Sequence, residues 1–392
     1  MAEPSQAKCL MLESALKYAE QLVSYESVTP NEAGCSTWLS SILNEMGADV
    51  DVFGSNGVTN IAACFNMGEG PNIAFCGHID VVPALNMDKW FFPPFKLTSS
   101  NGQIYGRGIA DMKGGIACAL AALRSILDEN HHLGGKFWFL ITSDEEGEAE
   151  FGSKAIVEKL AKRNVTLDYC IIGEPTASYC SGDVFKVGRR GSLSFDLKIT
   201  GKSGHVAYPQ YGVNSIHLAH EVISNLKCLP WYKDNADCSD TSMQFTHIDS
   251  GKWSDNVIPN SISISFNIRY SDEYTKEELI KLVKEKIDEV TSEYDLRTYR
   301  HCESYLSKSI DDSQKCLLKT VEKTINKRGF KPNKSISGGT SDGRFFKHIS
   351  SQVIELGLPN NTIHQENECV KISDMKDLSL IYKDLFETLW TQ

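Results

Sequence analysis

The segment Ile73-Ala-Phe-Cys-Gly-His-Ile-Asp80 decides how the chain is interpreted, because it joins a short apolar run to two polar groups. A run of this kind is typical of a buried strand. Residues two apart on a strand point to the same face, so His78 and Asp80 would project together beyond its end. Open α/β sheets bind ligands there. We therefore predict a functional site at this strand end, with a surface His beside a surface Asp as the alternative.

Length and charge limit the class of protein. A chain of 392 residues exceeds what one ordinary hydrophobic core requires, so two domains are expected. The net charge of -11 argues against non-specific binding to nucleic acid or to an anionic membrane, since both need a basic surface. We therefore expect a small-molecule substrate, and neither nucleic acid nor membrane as a partner.

The twelve cysteines indicate a reducing compartment. No two of them form Cys-x-x-Cys, and their scatter suits neither a zinc ribbon nor a compact disulfide framework. Reduced thiols in such numbers favour a cytoplasmic localisation. The N-terminal residues lack a charged segment followed by an apolar one, so no signal peptide is expected. The most apolar predicted helix, residues 116–127, is too short to cross a bilayer.

Apolar periodicity predicts alternating helices and strands over about the first 175 residues. The predicted helices are 9–25, 37–46, 116–127 and 153–162, and the predicted strands are 51–53, 60–65, 73–76, 137–142 and 169–172. Strands that alternate with helices and are apolar throughout indicate an α/β fold with a mostly parallel sheet covered on both faces.

The pattern changes near Gly182, where residues 184–187 and 192–200 flank a Gly-Arg-Arg-Gly turn and predict a hairpin. A helix at 214–226, strands at 243–248 and 261–270, and a helix at 276–293 follow. They predict a small α+β insert with two helices on an antiparallel sheet of about four strands. The first pattern returns with a helix at 313–327, a strand at 352–356 and a helix at 372–389. We therefore predict a catalytic domain of residues 1–188 and 307–392, interrupted by a domain of residues 189–306.

Acidic and histidine side chains follow several of the predicted strands and turns. They are His78 with Asp80, Asp111, Glu145 with Glu146, Glu174, and His364. Each alone has an ordinary explanation as a helix cap or a turn residue. Together they would place about three negative charges beside two neutral histidines, and two divalent cations would relieve the repulsion. His, Asp and Glu ligands without thiolates suit Zn²⁺ in an open catalytic site.

The adjacent pair Glu145-Glu146 indicates what such a site does. Successive side chains at a strand end point in opposite directions. One carboxylate can therefore bind metal while the other faces a water between the two cations. A carboxylate in that place can move a proton from the water to a leaving amine. The pattern predicts metal-assisted hydrolysis of an amide.

Four segments resemble the M20 family of di-zinc amidohydrolases and peptidases. They are residues 77–83, 105–115, 144–147 and 173–176. Further segments are similar to one subgroup of that family, whose members hydrolyse an N-succinyl amide. They are residues 188–193, 204–209, 256–259, 266–269, 339–342 and 362–368. The resemblance covers nearly the whole chain. It implies a zinc-peptidase-like catalytic domain, an inserted lid domain that forms a homodimer, and a role in amino-acid biosynthesis.

The resemblance implies a ligand set for two zinc ions in each subunit. His78 and Glu174 would bind one ion, Glu146 and His364 would bind the other, and Asp111 would bridge the two. The peptide bond after Asp111 is cis in relatives. Co²⁺ or Mn²⁺ at the second position is an alternative. Deacetylation of N-acetylornithine, an aminoacylase activity and a carboxypeptidase activity remain rival functions. A non-catalytic metal- or peptide-binding module is a more remote one.

The resemblance also implies roles around the metal ions. Asp80 would orient His78, Glu145 would act as general base and later as acid, and His205 of the partner subunit would stabilise the oxyanion. Arg189 and Arg269 would bind substrate carboxylates, which agrees with the forked guanidinium–carboxylate pair. A solvated turn is the alternative for Arg189. The other implied substrate-binding residues are Asn256, Gly339, Thr340 and Asn360, with turn formation as the alternative for both asparagines.

Overall fold

A computed structural model describes residues 4–129, 133–229, 241–307, 309–310 and 315–391. The chain divides into two units. The first comprises Met1–Gly188, Ser307–Ser335 and Ser341–Gln392, and the second comprises Arg189–Leu306 and Ile336–Thr340. Within the described ranges, no helix is both long enough and apolar enough to cross a membrane.

The helices and strands of the described residues are numbered in chain order. The helices are α1 (Pro4–Ser24), α2 (Cys35–Glu45), α3 (Gly114–Asp128), α4 (Ser153–Lys162), α5 (Ser215–Lys227), α6 (Lys276–Asp288), α7 (Leu317–Lys327), α8 (Gly343–Phe346) and α9 (Ile372–Trp390). The strands are β1 (Asp49–Ser55), β2 (Val58–Asn66), β3 (Asn72–His78), β4 (Thr98–Ser100), β5 (Gln103–Tyr105), β6 (Lys136–Thr142), β7 (Tyr169–Ile172), β8 (Val184–Lys186), β9 (Gly188–Arg189), β10 (Gly191–Thr200), β11 (Gly204–His205), β12 (Ser242–Asp249), β13 (Val257–Ile258), β14 (Ser261–Tyr270), β15 (Tyr294–Cys302), β16 (Tyr305–Leu306), β17 (Asn333–Ser335), β18 (Val353–Glu355) and β19 (Cys369–Lys371).

A large sheet with the order β1-β2-β6-β3-β7-β18-β8-β17 forms the centre of the first unit. Its central strands β6, β3, β7 and β18 are parallel. The pairs β1–β2, β2–β6 and β18–β8 are antiparallel. The predicted α/β fold is confirmed, and the sheet is parallel in its centre and mixed toward its edges. Predicted helix 153–162 and strand 169–172 match α4 and β7 at every residue. The first residues of predicted helix 313–327 lie outside the described residues, and α7 begins at Leu317.

The core beneath the central strands is aromatic. Phe75 on β3 packs against Phe139 on β6 and Phe386 on α9, with ring centroids 5.0 and 6.2 Å apart. All three side chains are fully buried. Burial of rings of this size contributes strongly to stability and fixes the positions of the strands.

Three neighbouring parallel strands end at the same edge of the sheet. His78 is paired in register with Thr142, the last residue of β6, and Cys76 with Ile172, the last residue of β7. The residues that follow β3, β6 and β7 therefore emerge side by side, since parallel strands share their carboxyl edge. A small antiparallel sheet, β19-β5-β4, pairs Cys369 with Tyr105 and places residues 106–111 beside residues 362–368.

The second unit is an antiparallel sheet with the order β12-β14-β10-β15, together with α5 and α6. Phe195 on β10 stacks on Phe266 on β14 with a centroid distance of 4.8 Å. Val222 of α5 and Val283 of α6 belong to the same buried cluster. The predicted strand 261–270 matches β14 at every residue.

Two details of the predicted insert are wrong. Residues 184–187 and 192–200 do not form a hairpin: β8 pairs with β17 and β18 in the large sheet, while β10 pairs with β14 and β15. The predicted helix 276–293 ends at Asp288, and the chain then enters β15, which the sequence analysis missed. A glycine-rich turn between two short apolar runs has the same local signature in a hairpin and in a connection between two sheets.

Candidate metal centre

His78 lies at the end of β3 and is 1% exposed. Its Nδ1 donates a hydrogen bond to the backbone oxygen of Asp80 at 2.9 Å. Its Nε2 lies 3.2 Å from Oδ1 of Asp111 and 3.5 Å from Oε1 of Glu174. A ring whose Nδ1–H is held by a carbonyl presents the lone pair of Nε2, which is how histidine binds metal ions.

Asp111 directs one carboxylate oxygen to each of two histidines. Oδ1 faces His78, and Oδ2 lies 3.4 Å from Nε2 of His364. The same Nε2 of His364 is 3.0 Å from Oε1 of Glu146. The peptide bond between Asp111 and Met112 is cis, as the family resemblance implied. The carboxylate of Asp111 therefore stands between two groups of donors.

The donor atoms fit divalent cations. A tetrahedral site with bond lengths of about 2.0–2.1 Å places neighbouring donors about 3.3 Å apart, and the separations above run from 3.0 to 3.5 Å. Ligand atoms lie within 4.8 Å of one another in two sets. One set is His78, Asp111 and Glu146, and the other is His78, Glu145 and Glu174. Nitrogen and carboxylate oxygen donors without sulfur suit Zn²⁺ and neighbouring divalent metals.

The electrostatics of this cluster indicate uncompensated negative charge. Hydrogen bonds to Asp111 and Glu146 raise the pKa of His364 to about 10. Burial, and then the charge of Asp111, raise the pKa of Glu174 to about 7. Burial and the charge of Glu174 hold the pKa of Glu145 well above its usual range. Bound cations would remove this repulsion, so the charges and the distances support the same kind of site.

Glu145 and Glu146 follow β6 and are held by the carboxylate of Asp80. Oδ2 of Asp80 accepts hydrogen bonds from the backbone N–H groups of Glu145 at 3.2 Å and Glu146 at 3.0 Å. The other carboxylate oxygen is 3.6 Å from Nδ1 of His78, farther than the backbone oxygen of the same aspartate. The side chain of Asp80 thus contacts the loop of the two glutamates more closely than the imidazole.

Two predicted residues lie on exposed segments of the second unit. His205 is exposed on β11, and its Nδ1 accepts a hydrogen bond from the backbone of Ala207 at 3.1 Å. Because Nδ1 accepts this hydrogen bond, the neutral ring carries its proton on Nε2. Asn256 is exposed beside β13, and its side-chain oxygen accepts a hydrogen bond from Ser254 at 2.9 Å.

The two predicted arginines of the second unit differ in their surroundings. Arg189 is buried, and its Nη1 donates to the backbone oxygens of Ser337 at 3.1 Å and Gly339 at 3.5 Å. Arg269 lies on β14 and is partly exposed. Among the described residues, no hydrogen bond or ion pair involves its side chain.

The remaining predicted substrate-binding residues lie outside helices and strands. Gly339 and Thr340 belong to the turn Ile336–Thr340 of the second unit. Gly339 is exposed, and a Cβ there would meet no atom within 4 Å. Asn360 belongs to the first unit, where its backbone N–H donates to the oxygen of Ala177 at 3.0 Å.

Two buried acids of the first unit received no role in the sequence analysis. Asp342 is 5% exposed, its Oδ1 has no hydrogen-bond partner among the described residues, and burial raises its pKa to about 6. Glu368 is 1% exposed and accepts hydrogen bonds from the backbone around Asp111. Each of these acids is the last residue of a segment that carries the family resemblance. A sequence pattern does not reveal which backbone groups such an acid will contact.

The fold and the cluster together define a class of protein. Histidine and carboxylate donors converge at the carboxyl edge of an α/β sheet, and Glu145 lies next to them. Such a set of donors with an adjacent acid is the site of a metal-dependent hydrolase.

The comparisons with known proteins identify the family. The model of peptidase family M20/M25/M40 matches residues 74–388, and the chain belongs to this family. It is 45% identical to succinyl-diaminopimelate desuccinylase 1 of Alteromonas mediterranea, over 96% of each chain. It is 40% identical to succinyl-diaminopimelate desuccinylase of Orientia tsutsugamushi, over 94% of each. Membership in this family makes the protein a metal-dependent amidohydrolase.

Solved structures support the same fold at lower identity. The crystal structure of aminopeptidase PepT from Bacillus cereus aligns with a TM-score of 0.77 and 20% identity, covering 96% of this chain and 98% of that chain. A dinuclear metal-binding peptidase of the M20 family, YxeP from Bacillus subtilis, aligns with a TM-score of 0.70 and 15% identity, covering 97% and 99%.

Proposed function

We propose that this enzyme hydrolyses N-succinyl-L,L-2,6-diaminopimelate to succinate and L,L-2,6-diaminopimelate. The substrate is proposed because relatives with that printed activity are 39% to 45% identical over nearly the whole chain. The observation that carries the reaction type is the position of Glu145 beside the donors His78 and Glu174. This reaction would place the enzyme in diaminopimelate and lysine biosynthesis, in the cytoplasm, where thiols remain reduced.

The proposed reaction breaks the amide C–N bond of the succinyl group. The oxygen of a water molecule adds to the succinyl carbonyl carbon, and a proton passes to the departing nitrogen. When bound, two divalent cations supply a Lewis acid for the carbonyl oxygen and lower the pKa of the attacking water. The protein supplies the donors and the group that moves the proton.

We propose that His78 and Glu174 bind one cation, that Glu146 and His364 bind the second, and that Asp111 bridges them. The two oxygens of Asp111, each directed at a different histidine, support this division. We propose Zn²⁺ for both positions, with Co²⁺ or Mn²⁺ as alternatives at the second, where His364 is half exposed and the ligands are less enclosed.

Glu145 is the proposed general base. Its carboxylate takes a proton from the attacking water and delivers it to the leaving nitrogen. Asp80 accepts hydrogen bonds from the backbone N–H groups of Glu145 and Glu146 and thereby limits where the two carboxylates lie. This arrangement supports Asp80 as a residue that orients the base as well as His78.

A homodimer through residues 189–306 is part of the proposal, with this segment as a lid on a catalytic domain of residues 1–188 and 307–392. Several large apolar side chains of the second unit are exposed. They are Tyr208, Tyr211, Ile248, Trp253 and Val257. Exposed apolar groups in such number are typical of a protein–protein interface. In this dimer, His205 would stabilise the oxyanion in the active site of the partner subunit.

The proposed substrate-binding residues differ in the contacts that their side chains make. Arg269 is the strongest candidate for a substrate carboxylate, because its guanidinium makes no ion pair among the described residues. Arg189 also shapes the turn Ile336–Thr340 through two carbonyl oxygens. The other proposed contacts, without a distinguishing observation, are Asn256, Gly339, Thr340 and Asn360.

The test is a direct comparison of substrates. The purified protein, supplied with Zn²⁺, is assayed with N-succinyl-L,L-2,6-diaminopimelate, N-acetylornithine and a simple N-acyl amino acid, and free amine is measured. We expect kcat/KM for the succinyl substrate to exceed the others by about 100-fold or more, since a site built to bind the substrate's carboxylates rejects a substrate that lacks them. A preference for acetylornithine would support the deacetylase alternative instead. Cleavage of none of them would contradict the proposed substrate class.

A further inference from the structure

Glu368 connects two segments of the first unit that are 258 residues apart in the chain. Its Oε1 accepts hydrogen bonds from the backbone N–H groups of Ala110 at 2.8 Å and Asp111 at 3.2 Å. Its Oε2 accepts one from the N–H of Gly108 at 2.9 Å. One buried carboxylate therefore holds the turn that carries Asp111 through three backbone groups.

Arg107 completes the environment of this carboxylate. Its Nη1 donates to Oε2 of Glu368 at 2.7 Å, and both side chains are buried. The guanidinium also lies over the ring of Trp90, 5.1 Å from its centroid. A residue needed only to neutralise Arg107 would require one oxygen. Glu368 uses both, and its Oε1 accepts hydrogen bonds from the backbone of the Asp111 turn.

The other segment carries His364. Thr362 and Cys369 close the base of its loop, because the hydroxyl of Thr362 donates to the oxygen of Cys369 at 2.8 Å and accepts from its N–H at 3.1 Å. His364 has a positive φ of 60°, a conformation rare outside glycine, so the loop must hold it in place. The backbone oxygen of Glu368 accepts from Gly106 at 3.0 Å, which ties the loop to the start of the turn.

We propose that Glu368 is the positioning residue that sets the distance between Asp111 and His364 and thereby forms the second cation position. The proposal rests on the two-cation function proposed above. Asp111 is fixed through its own N–H, and His364 lies four residues before Glu368 on the closed loop. Ligands must keep their geometry to within about 0.5 Å to bind a metal well. Without the carboxylate, the Asp111–His364 contact of 3.4 Å loses its common support.

Glu368→Gln is the informative substitution, because it keeps size and removes one acceptor. An amide has one oxygen and one NH₂ group, and the NH₂ would face donors in either orientation: Gly108 and Arg107, or Ala110 and Asp111. The turn or the loop must shift. Asp183→Asn is the matched control, since Asp183 also holds a loop of the first unit by backbone N–H groups, those of Ser178 and Tyr179. No proposed ligand lies in the Asp183 loop.

The experiment measures metal binding without substrate. The full chain is stripped with a chelator and titrated with Co²⁺, whose visible absorption and stoichiometry are followed, while circular dichroism reports folding. We expect the parent and Asp183→Asn to bind two ions. Glu368→Gln should bind the second ion about 10- to 100-fold more weakly, the usual cost of losing a group that orients metal ligands. The first ion should be weakened less, because it shares only Asp111 with the second position.

Glu368→Asp provides a second variant should Glu368→Gln fail to fold. It keeps the negative charge but is shorter by one methylene, so it cannot reach both parts of the turn, and the same selective loss is expected. Parent-like affinity for both ions in a folded Glu368 variant overturns the proposal, as does an equal loss of both ions. Binding of fewer than two ions by the parent would instead overturn the two-cation function, and with it this proposal.

Discussion

Several predicted site residues of the two units differ in burial. In the first unit, His78, Asp111 and Glu174 are buried, and a carboxylate oxygen of each acid lies within 3.5 Å of Nε2 of His78. In the second unit, His205 and Asn256 are exposed, and their side-chain hydrogen bonds are local. The first arrangement is fixed by the ends of β3 and β7 and by the turn that carries Asp111, and all three donors come from one chain.

The buried residues of the first unit have a preorganised geometry, and the exposed residues of the second do not. Buried donors on adjacent strands keep their geometry because the sheet and the aromatic core determine it. Exposed residues gain a defined environment only when another surface covers them. Trp253, which is 86% exposed, is an apolar group that such a surface would bury. We therefore expect changes in the first unit to act on chemistry and metal binding, and changes in the second to act through assembly.

The largest effect is expected for Glu145→Gln in the first unit. Removing the proton acceptor should lower kcat by about 10³-fold or more, while metal content measured by elemental analysis stays at the parent value. Glu148→Gln, at an exposed position of the same loop, is the control and should leave kcat unchanged. Loss of one metal ion from Glu145→Gln would indicate that Glu145 is a metal ligand. Its position near His78 and Glu174 is compatible with that role.

His205→Ala tests the second unit and should act across the dimer. Removing one donor to an oxyanion lowers kcat by about 10²- to 10³-fold. Mixing His205→Ala with Glu145→Gln should restore activity if His205 serves the partner subunit, because each mixed dimer then has one intact site. With free exchange, half of the dimers are mixed and half of their sites are intact, so about a quarter of the parent activity should return.

Each of the two variants alone, at the same total concentration, is the control for the mixture. No recovery after confirmed subunit exchange would mean that His205 acts within its own chain or has no catalytic part. Either outcome would contradict a contribution of the second unit to activity through assembly.

A smaller effect is expected for Asp80→Asn, which changes the support of the site and keeps its ligands. The amide of the substituted side chain has one acceptor oxygen instead of two, so it would hold the N–H groups of Glu145 and Glu146 less firmly. We expect kcat to fall about 10- to 100-fold while both ions are retained. Asp168→Asn is the matched control at the opposite end of β3, where Asp168 accepts a hydrogen bond from the N–H of Asn72 at 2.7 Å. Loss of an ion from Asp80→Asn would argue that Asp80 acts mainly through His78.

The metal centre could be anticipated because its signals are local. An apolar run that is followed by His78, or by Glu145-Glu146, indicates both a strand and the point at which polar side chains follow it. Convergence then follows from the shared carboxyl edge of parallel strands. The same reasoning located β7 and β14 to the residue.

What was missed depends on contacts distant in sequence or on weak patterns. Glu368 acts on a turn 258 residues away, and no local pattern specifies that contact. Strand β15 alternates Tyr294, Leu296 and Thr298 with charged residues, so only one face is apolar and the run looks polar overall. The hairpin predicted across residues 184–200 failed because its two runs joined different sheets.

The smallest effect is expected for Thr275→Ala, which tests whether the second unit can be destabilised without disturbing the metal centre. Thr275 caps α6: its hydroxyl accepts from the N–H of Glu278 at 3.2 Å, and the carboxylate of Glu278 accepts from the N–H of Thr275 at 2.8 Å. Losing the cap should cost about 1 kcal/mol. Hydrogen exchange in the first turns of α6 should then be about fivefold faster.

Metal affinity should stay at the parent value in Thr275→Ala, because no proposed ligand lies in the second unit. Lys281→Ala is the control on the same helix, where it removes only an exposed ion pair with Glu285 at 3.8 Å and should change exchange little. A weakened metal site in Thr275→Ala would contradict the division between the units, since stability of α6 would then be linked to ligands carried by the strand ends of the first unit.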